Sequence, residues 1–546
     1  MDQFDYIIVG AGSSGCVLAA RLTEDPSVKV LVVEAGGSEK QAILEMPVAW
    51  FRAMRKASVG WGYATEPEPH ADNRRIPAPR GRVIGGCSSI NGMMYSRGHP
   101  LDYDQWAQMG AKGWSFADVL PYFRKSEANW RGKSEYHGAD GPLTVARHQT
   151  DDTIYPAVMK TAKSLGYREL DDFHGASTEG FSAPDFTVHE GRRGSTAKRF
   201  LRPALKRSNL VLVSEALTTR VVMEGKRAVG VEYERDGARV TVRAKREVIV
   251  SAGAFNSPQL LLLSGVGPAK ALKEHGITVV QDLPGVGRNL QEHAAVRPVF
   301  EANGKITFDQ ELRLDRLTAS VIRWWLKGTG PVAGLPVAAQ GFVKTRDGLD
   351  RPDMQIVIRP VAMDAEVWFP GWRAPRGEYF SIANILLSPE STGTVTLRSG
   401  DPHDKPKILL NLLATENDRA AFRRFVRFTR KFFAQPPLSG LISREIEPGE
   451  DAQGDDEIDA YVRSVVSTAM HPTSTCAMGA GANAVLDEKL RVRGVEGLRV
   501  VDCSAMPTVV GGNTNAAAIM IGEKAADLIR EASRPGVSSN AARASG

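Results

Sequence analysis

Three glycines near the start of the chain have the spacing that dinucleotide chemistry requires. Gly10, Gly12 and Gly15 follow the apolar run 4–9, and Glu34 ends the next apolar run. The first glycine allows a sharp strand-to-helix turn, the second lets the backbone approach a pyrophosphate, and the third lets the helix pack against the sheet. The helix N-terminus attracts the phosphates, and the acid accepts hydrogen bonds from a ribose diol. The pattern predicts a strand–turn–helix unit that binds a dinucleotide without a 2′-phosphate.

The composition is typical of a globular enzyme and excludes several other classes of protein. The 546 residues suffice for two or three domains, with 42% hydrophobic and 24% charged residues. The charge of +6 arises from 69 basic and 63 acidic residues spread along the chain, so we expect no nucleic-acid surface. Four cysteines without metal or disulfide spacing predict no metal site and a reducing, cytoplasmic location. We expect no signal peptide and no membrane span, while peripheral membrane contact stays open.

The order of the predicted elements places the glycine unit in a discontinuous domain. A second strand–glycine–helix pattern follows at 247–263. Residues 36–100, rich in glycine and proline, predict long loops that cover a ligand, and helical spacing returns at 101–129. Residues 209–247 predict a small antiparallel meander with strands at 211–213, 221–223, 228–233 and 240–242. Residues 297–460 contain no glycine-rich anion loop, which suits a substrate domain.

Three further segments resemble the signatures of the glucose-methanol-choline (GMC) oxidoreductases, a family of flavoproteins. Residues 81–91 are similar to the first signature of the family, and residues 253–267 are similar to the second. His471 with the following proline, and the Asn-Thr-Asn sequence at 513–515, are similar to the catalytic end of the family. The motifs occur in the order of the family, so the resemblance spans residues 4 to about 530.

The resemblance implies a mixed α/β fold, α+β overall, with two domains. One is a Rossmann-like FAD-binding domain that is discontinuous in sequence, and the other is a substrate domain with an antiparallel sheet and helices. The predicted FAD-binding domain comprises residues 1–150, 205–296 and 463–531. The predicted substrate domain comprises residues 151–204 and 297–462. Residues 532–546, rich in Ser, Ala, Gly and Pro, are predicted to form a flexible tail.

The same resemblance predicts FAD that is bound without a covalent link. Paired glycines at 85–86 let the backbone pass close to a flat ring system, although a purely structural loop is the alternative. A family member that holds FAD covalently has histidine where this chain has Ile90, which carries no nucleophile. The predicted cofactor-binding residues are Gly10, Gly12, Ser13, Ser14, Gly15, Glu34, Ala35, Arg82, Val83, Gly86, Ser88, Asn91, Gly92, Met93, Val221, Ala252, Asp502, Asn513 and Thr514.

Alcohol oxidation removes a proton and a hydride from one CH–OH group, so a proton acceptor must lie beside the hydride acceptor, flavin N5. The resemblance gives this role to His471. An imidazole suits the role because its pKa lies near neutrality. A buried histidine is more often structural, and the match with the family's catalytic histidine outweighs this. Asn515 matches the second catalytic position and is predicted to donate to the substrate oxygen. The alternative role for Asn513 and Asn515 is to cap the following helix.

Together these matches imply an FAD-dependent alcohol dehydrogenase of the choline dehydrogenase-like branch. It would oxidise a primary alcohol to an aldehyde and pass electrons to a quinone or another acceptor. The alternatives are an oxidase that reduces oxygen to hydrogen peroxide and a hydroxynitrile lyase on the same scaffold. The sequence does not identify the alcohol: a trimethylammonium group needs aromatic faces and a carboxylate, and aromatic, aliphatic and polyether alcohols stay open. The carboxylates considered for such a role are Glu301, Asp309, Glu311 and Asp315.

Overall fold

Two large β-sheets organise the computed structural model, which describes residues 3–149, 151 and 153–533. One sheet is parallel at its centre and the other is antiparallel, which confirms the predicted mixed α/β class. The predicted tail, 532–546, lies outside the described residues from 534 onward. Among the residues described, no helix has both the length and the apolar character needed to cross a bilayer.

Helices and strands occur in mixed order along the described residues. The helices are α1 (Ser13–Leu22), α2 (Ala42–Glu45), α3 (Trp50–Arg55), α4 (Pro100–Gln108), α5 (Phe116–Ser126), α6 (Ile154–Ser164), α7 (Arg202–Ala204), α8 (Gly253–Leu263), α9 (Ala269–Glu274), α10 (Leu314–Lys327), α11 (Glu416–Phe433), α12 (Asp455–Val465) and α13 (Asn515–Ala532). The strands are β1 (Phe4–Val9), β2 (Val30–Val33), β3 (Glu127–Asn129), β4 (Leu143–Arg147), β5 (Gly180–Ser182), β6 (Asp185–Phe186), β7 (Val188–His189), β8 (Arg192–Arg193), β9 (Leu210–Val213), β10 (Leu217–Glu224), β11 (Arg227–Arg235), β12 (Ala238–Val250), β13 (Val266–Gly267), β14 (Gln281–Asp282), β15 (Ala294–Val296), β16 (Val299–Ala302), β17 (Ala339–Val343), β18 (Met354–Arg359), β19 (Tyr379–Leu386), β20 (Thr394–Thr396), β21 (Lys407–Leu409), β22 (Ile442–Glu447), β23 (Ser467–Thr468) and β24 (Leu498–Val500).

Strand β1 lies near the centre of the parallel part of the first sheet, where the order is β24-β12-β1-β2-β9. Every residue of β2 is buried, as expected for a strand that is covered on both faces. Val9 pairs with Val33 on one side and with Val250 on the other. Because the strands are parallel and in this register, their carboxyl ends meet at one edge of the sheet.

Two strand predictions in the meander region are wrong. Strand β9, predicted at 211–213 as the first meander strand, pairs in parallel with β2. The strand predicted at 240–242 and the strand that opens the pattern predicted at 247–263 belong to one strand, β12. Its first half pairs with β11, and its second half pairs with β1. The charged residues at 243–246 interrupt the apolar pattern. A strand tolerates them there because this half of β12 is partly exposed to solvent.

The second sheet is antiparallel and has the order β22-β16-β19-β18-β17-β5, with β15 pairing to both β19 and β23. Helix α11 covers it with a row of buried aromatic residues at helical spacing, including Phe422, Phe425 and Phe432. Strands β15 and β23 fall inside the segments predicted for the FAD-binding domain. The strand pairing attaches these two strands, and with them the segment before His471, to this sheet, while the domain boundaries at 296 and 463 stay predictions.

A short π-helical turn covers one side of α1. The π-helical turn Ala197–Leu201, predicted in the substrate domain, packs against α1 in the core of the first sheet. The same turn also lies against the second glycine-containing loop, because a Cβ atom at Gly85 would lie 2.9 Å from the Cβ of Ala197. The turn therefore supports the second glycine-containing loop from behind.

Candidate active site

The carboxyl ends of the parallel strands bring four predicted residues to one edge of the sheet. Gly10 follows β1, Glu34 follows β2, Ala252 lies just after β12, and Asp502 lies just after β24. Ligands of open parallel sheets bind at this edge, where the strands give way to loops and helix N-termini. Residues separated by up to about 490 positions in the sequence are therefore neighbours in the fold.

Glu34 is held rigidly by two backbone hydrogen bonds. Its Oε2 accepts the N–H of Ala11 at 2.7 Å, and its Oε1 accepts the N–H of Gly36 at 2.7 Å. Burial raises the pKa of this carboxyl, and the two backbone hydrogen bonds oppose that shift. A carboxylate oxygen that accepts one hydrogen bond can accept another, so both oxygens remain available to a ribose diol.

The glycines let two loops approach each other more closely than other residues would allow. Gly10 has a φ of +100°, and a Cβ on it would lie 2.5 Å from the carbonyl oxygen of Ser251. Gly86 has a φ of +52°, and a Cβ on it would lie 2.9 Å from the Cα of Gly12. The backbone of the second loop thus lies directly on the first. Together they form a cradle of exposed peptide groups beside the N-terminus of α1, which suits a pyrophosphate.

A cavity of about 400 Å³ connects Glu34 with His471. Most of the predicted site residues line it: Gly10, Gly12, Ser13, Ser14, Glu34, Ala35, Arg82, Gly86, Asn91, Gly92, Met93, Ala252, His471, Asp502, Asn513, Thr514 and Asn515. Ile90 also lines it, as the resemblance implied. The glycine cradle, the placement of Glu34 and the extent of the cavity from Glu34 to His471 all fit FAD.

Four predicted cofactor-binding residues do not line the cavity: Gly15, Val83, Ser88 and Val221. The N–H of Val221 donates to Ser264 Oγ at 2.9 Å, and residues 216–218 form the nearby wall instead. Ser88 Oγ donates to the carbonyl of Gly85 at 2.6 Å and so fixes its own loop. A Cβ on Gly15 would lie 2.0 Å from the carbonyl oxygen of Gly10, and Val83 is fully buried. These four residues shape the site from behind.

His471 and Asn513 form the polar end of the cavity, and His293 lies behind His471. Asn513 Nδ2 lies 3.1 Å from His471 Nε2, and His471 Nδ1 lies 2.9 Å from His293 Nδ1. An amide N–H can only donate, so Nε2 of His471 accepts and its Nδ1 carries the proton. His293 then accepts that proton's hydrogen bond, and the two rings are nearly perpendicular, at 89°. The tautomer assigned from these contacts gives His471 a basic Nε2 at the cavity.

The surroundings of His471 keep its imidazole neutral. Burial lowers its pKa well below the usual value, and the nearby His293 and Arg80 lower it further. Burial also lowers the pKa of His293 to about 4. The backbone N–H of His471 donates to Glu292 Oε1 at 2.6 Å, and burial raises the pKa of Glu292 to about 7. A neutral imidazole is the form that accepts a proton from an alcohol.

The structure places the two asparagines at the start of α13 in different contacts. Asn515, predicted to contact the substrate oxygen, accepts a hydrogen bond from Ser13 Oγ at 2.8 Å and so lies against the first glycine loop. Asn513 contacts His471 instead, and its Oδ1 accepts a hydrogen bond from Gln355 Nε2 at 3.4 Å. Helix α13 begins at residue 515, so the side chains of the two asparagines diverge at its N-terminus.

Sequence reasoning did not find His293 and Glu292, which lie directly behind the base. The signal was present: Gln291, Glu292 and His293 are three consecutive hydrogen-bonding residues immediately before an apolar strand. All three are buried in the structure. Such a cluster next to a buried strand needs partners in the protein interior, and in this fold the partner is the segment that contains His471.

Asp502 fixes the helix that begins at the edge of the cavity. Its Oδ2 accepts the N–H of Gly253 at 2.9 Å and the hydroxyl of Ser257 at 2.5 Å, while its Oδ1 accepts the N–H of Ser504 at 2.8 Å. These bonds satisfy donors in the first turn of α8. The carboxylate thereby joins the end of β24 to α8 beneath the cavity.

Comparison with protein families agrees with this geometry. Family models described as GMC oxidoreductase match residues 4–295 and 389–522. The chain belongs to the GMC oxidoreductase family. It is an FAD-dependent oxidoreductase that acts on CH–OH groups, which confirms the predicted cofactor and class of enzyme.

The curated relatives of this GMC oxidoreductase include choline dehydrogenases. The oxygen-dependent choline dehydrogenase of Brucella canis is 44% identical over 529 residues, which cover 96% of this chain and 95% of the relative. The mitochondrial choline dehydrogenase of Mus musculus is 44% identical over 538 residues, which cover 97% of this chain and 90% of the relative.

Solved structures of the GMC fold superpose on nearly the whole chain. Pyridoxine 4-oxidase from Mesorbium loti has a TM-score of 0.87 at 28% identity and covers 97% of this chain and 99% of its own. A formate oxidase variant from Aspergillus oryzae has a TM-score of 0.90 at 28% identity, with the same coverage of both chains.

Proposed function

We propose that this GMC oxidoreductase oxidises a primary alcohol to an aldehyde, with His471 as the base and Asn513 as the group that orients the substrate oxygen. The observation that carries the proposal is the contact between His471 Nε2 and Asn513 Nδ2, at 3.1 Å on the wall of the cavity. It places a proton acceptor and a hydrogen-bond donor side by side, as the oxygen of a reacting alcohol requires.

The residues act on the hydroxyl group in a defined order. The alcohol oxygen takes the place of His471 Nε2 as the acceptor of the Asn513 Nδ2–H, and the alcohol donates its own O–H to the freed Nε2. As the proton moves to Nε2, the amide stabilises the charge that develops on oxygen. His293 holds the imidazole through Nδ1 during this transfer. Glu292 Oε1 accepts the backbone N–H of His471 and so fixes the position of the residue that carries the base. Bound FAD supplies the hydride acceptor at N5.

The electrons then pass to a quinone or another acceptor. Oxygen is the alternative acceptor. One relative is named an oxygen-dependent choline dehydrogenase, and two structural neighbours are named as oxidases, which supports this alternative. The FAD is proposed to be non-covalent because Ile90 offers no nucleophile. The cytoplasmic location stays a prediction from the cysteine content.

Anaerobic mixing of the holoenzyme with a panel of primary alcohols tests the reaction. We expect loss of the oxidised flavin absorbance and formation of one aldehyde per flavin. Admission of air then identifies the acceptor: stoichiometric hydrogen peroxide indicates an oxidase, and slow reoxidation that a quinone accelerates indicates a dehydrogenase. If no alcohol bleaches the flavin while a hydroxynitrile is cleaved, the proposal is wrong and the lyase alternative holds.

The two asparagines offer a matched comparison. Asn513→Ala is expected to lower the flavin reduction rate constant about 10- to 100-fold at saturating alcohol, because one hydrogen bond to the developing charge is lost. Asn515→Ala is expected to change that rate constant less than about fivefold and to weaken FAD binding instead, since Asn515 contacts the glycine loop through Ser13. Stopped-flow absorbance and flavin titration measure the two effects. A larger loss of rate in Asn515→Ala than in Asn513→Ala would show that Asn515, and not Asn513, orients the substrate oxygen.

A further inference from the structure

Two arginines lie on the substrate side of the cavity without an acidic partner. Arg297 follows β15 and Arg359 ends β18, and both line the cavity. Within the part of the chain that the structure describes, neither forms an ion pair. Arg297 Nη1 donates to Ser467 Oγ, but Arg297 Nε and Arg359 Nη1 are buried without a hydrogen-bond partner. Buried guanidinium groups are normally paired, so this pair requires an explanation.

The strand register shows that these groups share one face of the antiparallel sheet. Arg359 pairs with Ser381 of β19, so their side chains lie on the same face. Val357, two residues before Arg359, lines the cavity, and so do Ala383 and Ile385 on the alternate positions of β19. The hydroxyl of Ser381 is also buried without a partner.

Among the described residues, the charged groups that bear on the two guanidinium groups are arginines, and no carboxylate is among them. Burial and the neighbouring Arg297 lower the pKa of Arg359 to about 9, which still leaves it a cation at neutral pH. Arg55 is the further charged group that bears on Arg297, together with the phenol of Tyr461. The three carboxylates on the cavity wall lie elsewhere. Glu34 and Asp502 have backbone partners, and Asp404 accepts from Ser399 near the outer rim.

The carboxylates considered for a cationic substrate do not face the cavity. Glu301, Asp309, Glu311 and Asp315 are absent from its wall. Glu301 pairs with Arg444, and Asp315 pairs with Arg313. A trimethylammonium alcohol would therefore meet two cations at this wall and no neutralising acid.

An apolar surface connects the arginines with the base. Leu335, Val337, Val357, Ala383 and Ile385 line the cavity and belong to one hydrophobic cluster. Ala469 packs against the same cluster and lies two residues before His471. A ligand that spans this surface would present an apolar middle, a hydroxyl at the histidine end and an anion at the arginine end.

We infer that the substrate is a primary alcohol that carries a carboxylate at its other end, separated by an apolar spacer, and that Arg297 and Arg359 bind this carboxylate. A planar carboxylate accepts two parallel hydrogen bonds from a guanidinium, and two guanidiniums with free N–H groups can share one carboxylate. Binding would give the buried cations their missing partner. This inference rests on the proposed alcohol oxidation and adds the chemical class of the substrate.

Matched substrates test the inference on the holoenzyme. Straight-chain alcohols that end in a carboxylate, a primary amide or an ammonium group are compared at several spacer lengths, under anaerobic conditions. At the best length we expect kcat/KM for the carboxylate to exceed that for the amide about 10- to 100-fold, with the ammonium compound the poorest. Equal values for the carboxylate and the amide, or a preference for the ammonium compound, would overturn it.

Variants of Arg359 test whether the preference for the carboxylate substrate over the amide arises from the two arginines. Arg359→Met is expected to bring the ratio of carboxylate to amide kcat/KM close to one, and Arg359→Lys is expected to restore part of it. Arg316→Met, at an exposed position on α10, is the matched control and keeps the wild-type ratio. Bound FAD per chain verifies that each variant is folded. A wild-type ratio in Arg359→Met would refute the assignment.

A binding measurement separates this inference from the proposed function. Calorimetric titration with a straight-chain carboxylate that lacks a hydroxyl group needs no turnover. We expect binding to the wild-type holoenzyme that weakens at least about tenfold in Arg359→Met and in Arg297→Met. If the carboxylate binds in this way and no alcohol bleaches the flavin, the oxidation proposal fails and the anion site stands. If neutral alcohols bleach the flavin and the carboxylate does not bind, only the anion site fails.

Discussion

Replacement of His471 by alanine is expected to lower the rate constant for anaerobic flavin reduction by about 1,000-fold while FAD stays bound. General base catalysis contributes roughly 100- to 10,000-fold. Among the described residues, the other imidazole at this end of the cavity is that of His293, whose proton-accepting Nδ1 is already engaged by His471. Stopped-flow absorbance with saturating alcohol measures the effect. His70→Ala is the matched control, because His70 is exposed and absent from the cavity wall.

The pH dependence of the same rate constant provides an independent check on the base. Only neutral His471 accepts the proton, so the rate falls where the imidazole becomes protonated. Burial, His293 and Arg80 lower the pKa of His471 well below 6.5, so the rate constant is expected to stay level as the pH falls through 6.5 and to drop only in more acidic solution. An acid limb centred near 6.5, or an alanine variant that keeps about a tenth of the wild-type rate, would contradict the assignment.

Replacement of Glu34 by alanine is expected to weaken FAD binding by at least about 100-fold. The carboxylate has a free acceptor site on each oxygen for the ribose diol, and charge-assisted hydrogen bonds contribute about 1.5–3 kcal/mol each. The variant also loses the bonds to the N–H groups of Ala11 and Gly36, which position the first loop. Fluorescence titration of the apoprotein with FAD measures the dissociation constant.

Glu496→Ala controls for the removal of a negative charge, since Glu496 forms an exposed pair with Arg227 on the surface. Full FAD occupancy of Glu34→Ala after gel filtration, with a dissociation constant equal to that of the control, would show that Glu34 does not bind the ribose. Recovery of released, unmodified FAD after acid precipitation of the wild-type protein would also verify that the cofactor is not covalently attached.

The sequence was sufficient for features that depend on local pattern. The strand, glycine turn and helix at 4–22 lie within one short segment, and Glu34 follows the next strand directly, so their arrangement can be predicted from spacing alone. His471 came from the resemblance to the family. The repeated strand–glycine–helix pattern at 247–263 led to the prediction that the first domain is discontinuous in sequence.

The features that were missed depend on contacts between distant segments. Asn513 and Asn515 differ by two positions, and the structure gives them different partners, Gln355 and Ser13, which lie far from them in sequence. Val221 was predicted to contact the cofactor. Its backbone N–H instead donates to Ser264 Oγ, and it does not line the cavity. Arg359 looks like a surface charge in the sequence, and only the register with Ser381 turns it toward the cavity.

The position of β24 and α13 in the first sheet has a consequence for synthesis of the protein. Strand β12 needs β24 as its neighbour, and α13 packs across α1, with Gly522 so close that a Cβ there would lie 3.0 Å from the carbonyl of Ser14. A nascent chain therefore displays β1 and its phosphate loop on the ribosome long before the residues that enclose them are translated. FAD can be enclosed only after β24 and α13 have been synthesised, and a stop codon before residue 498 would leave β12 and α1 without these partners and accessible to chaperones and proteases.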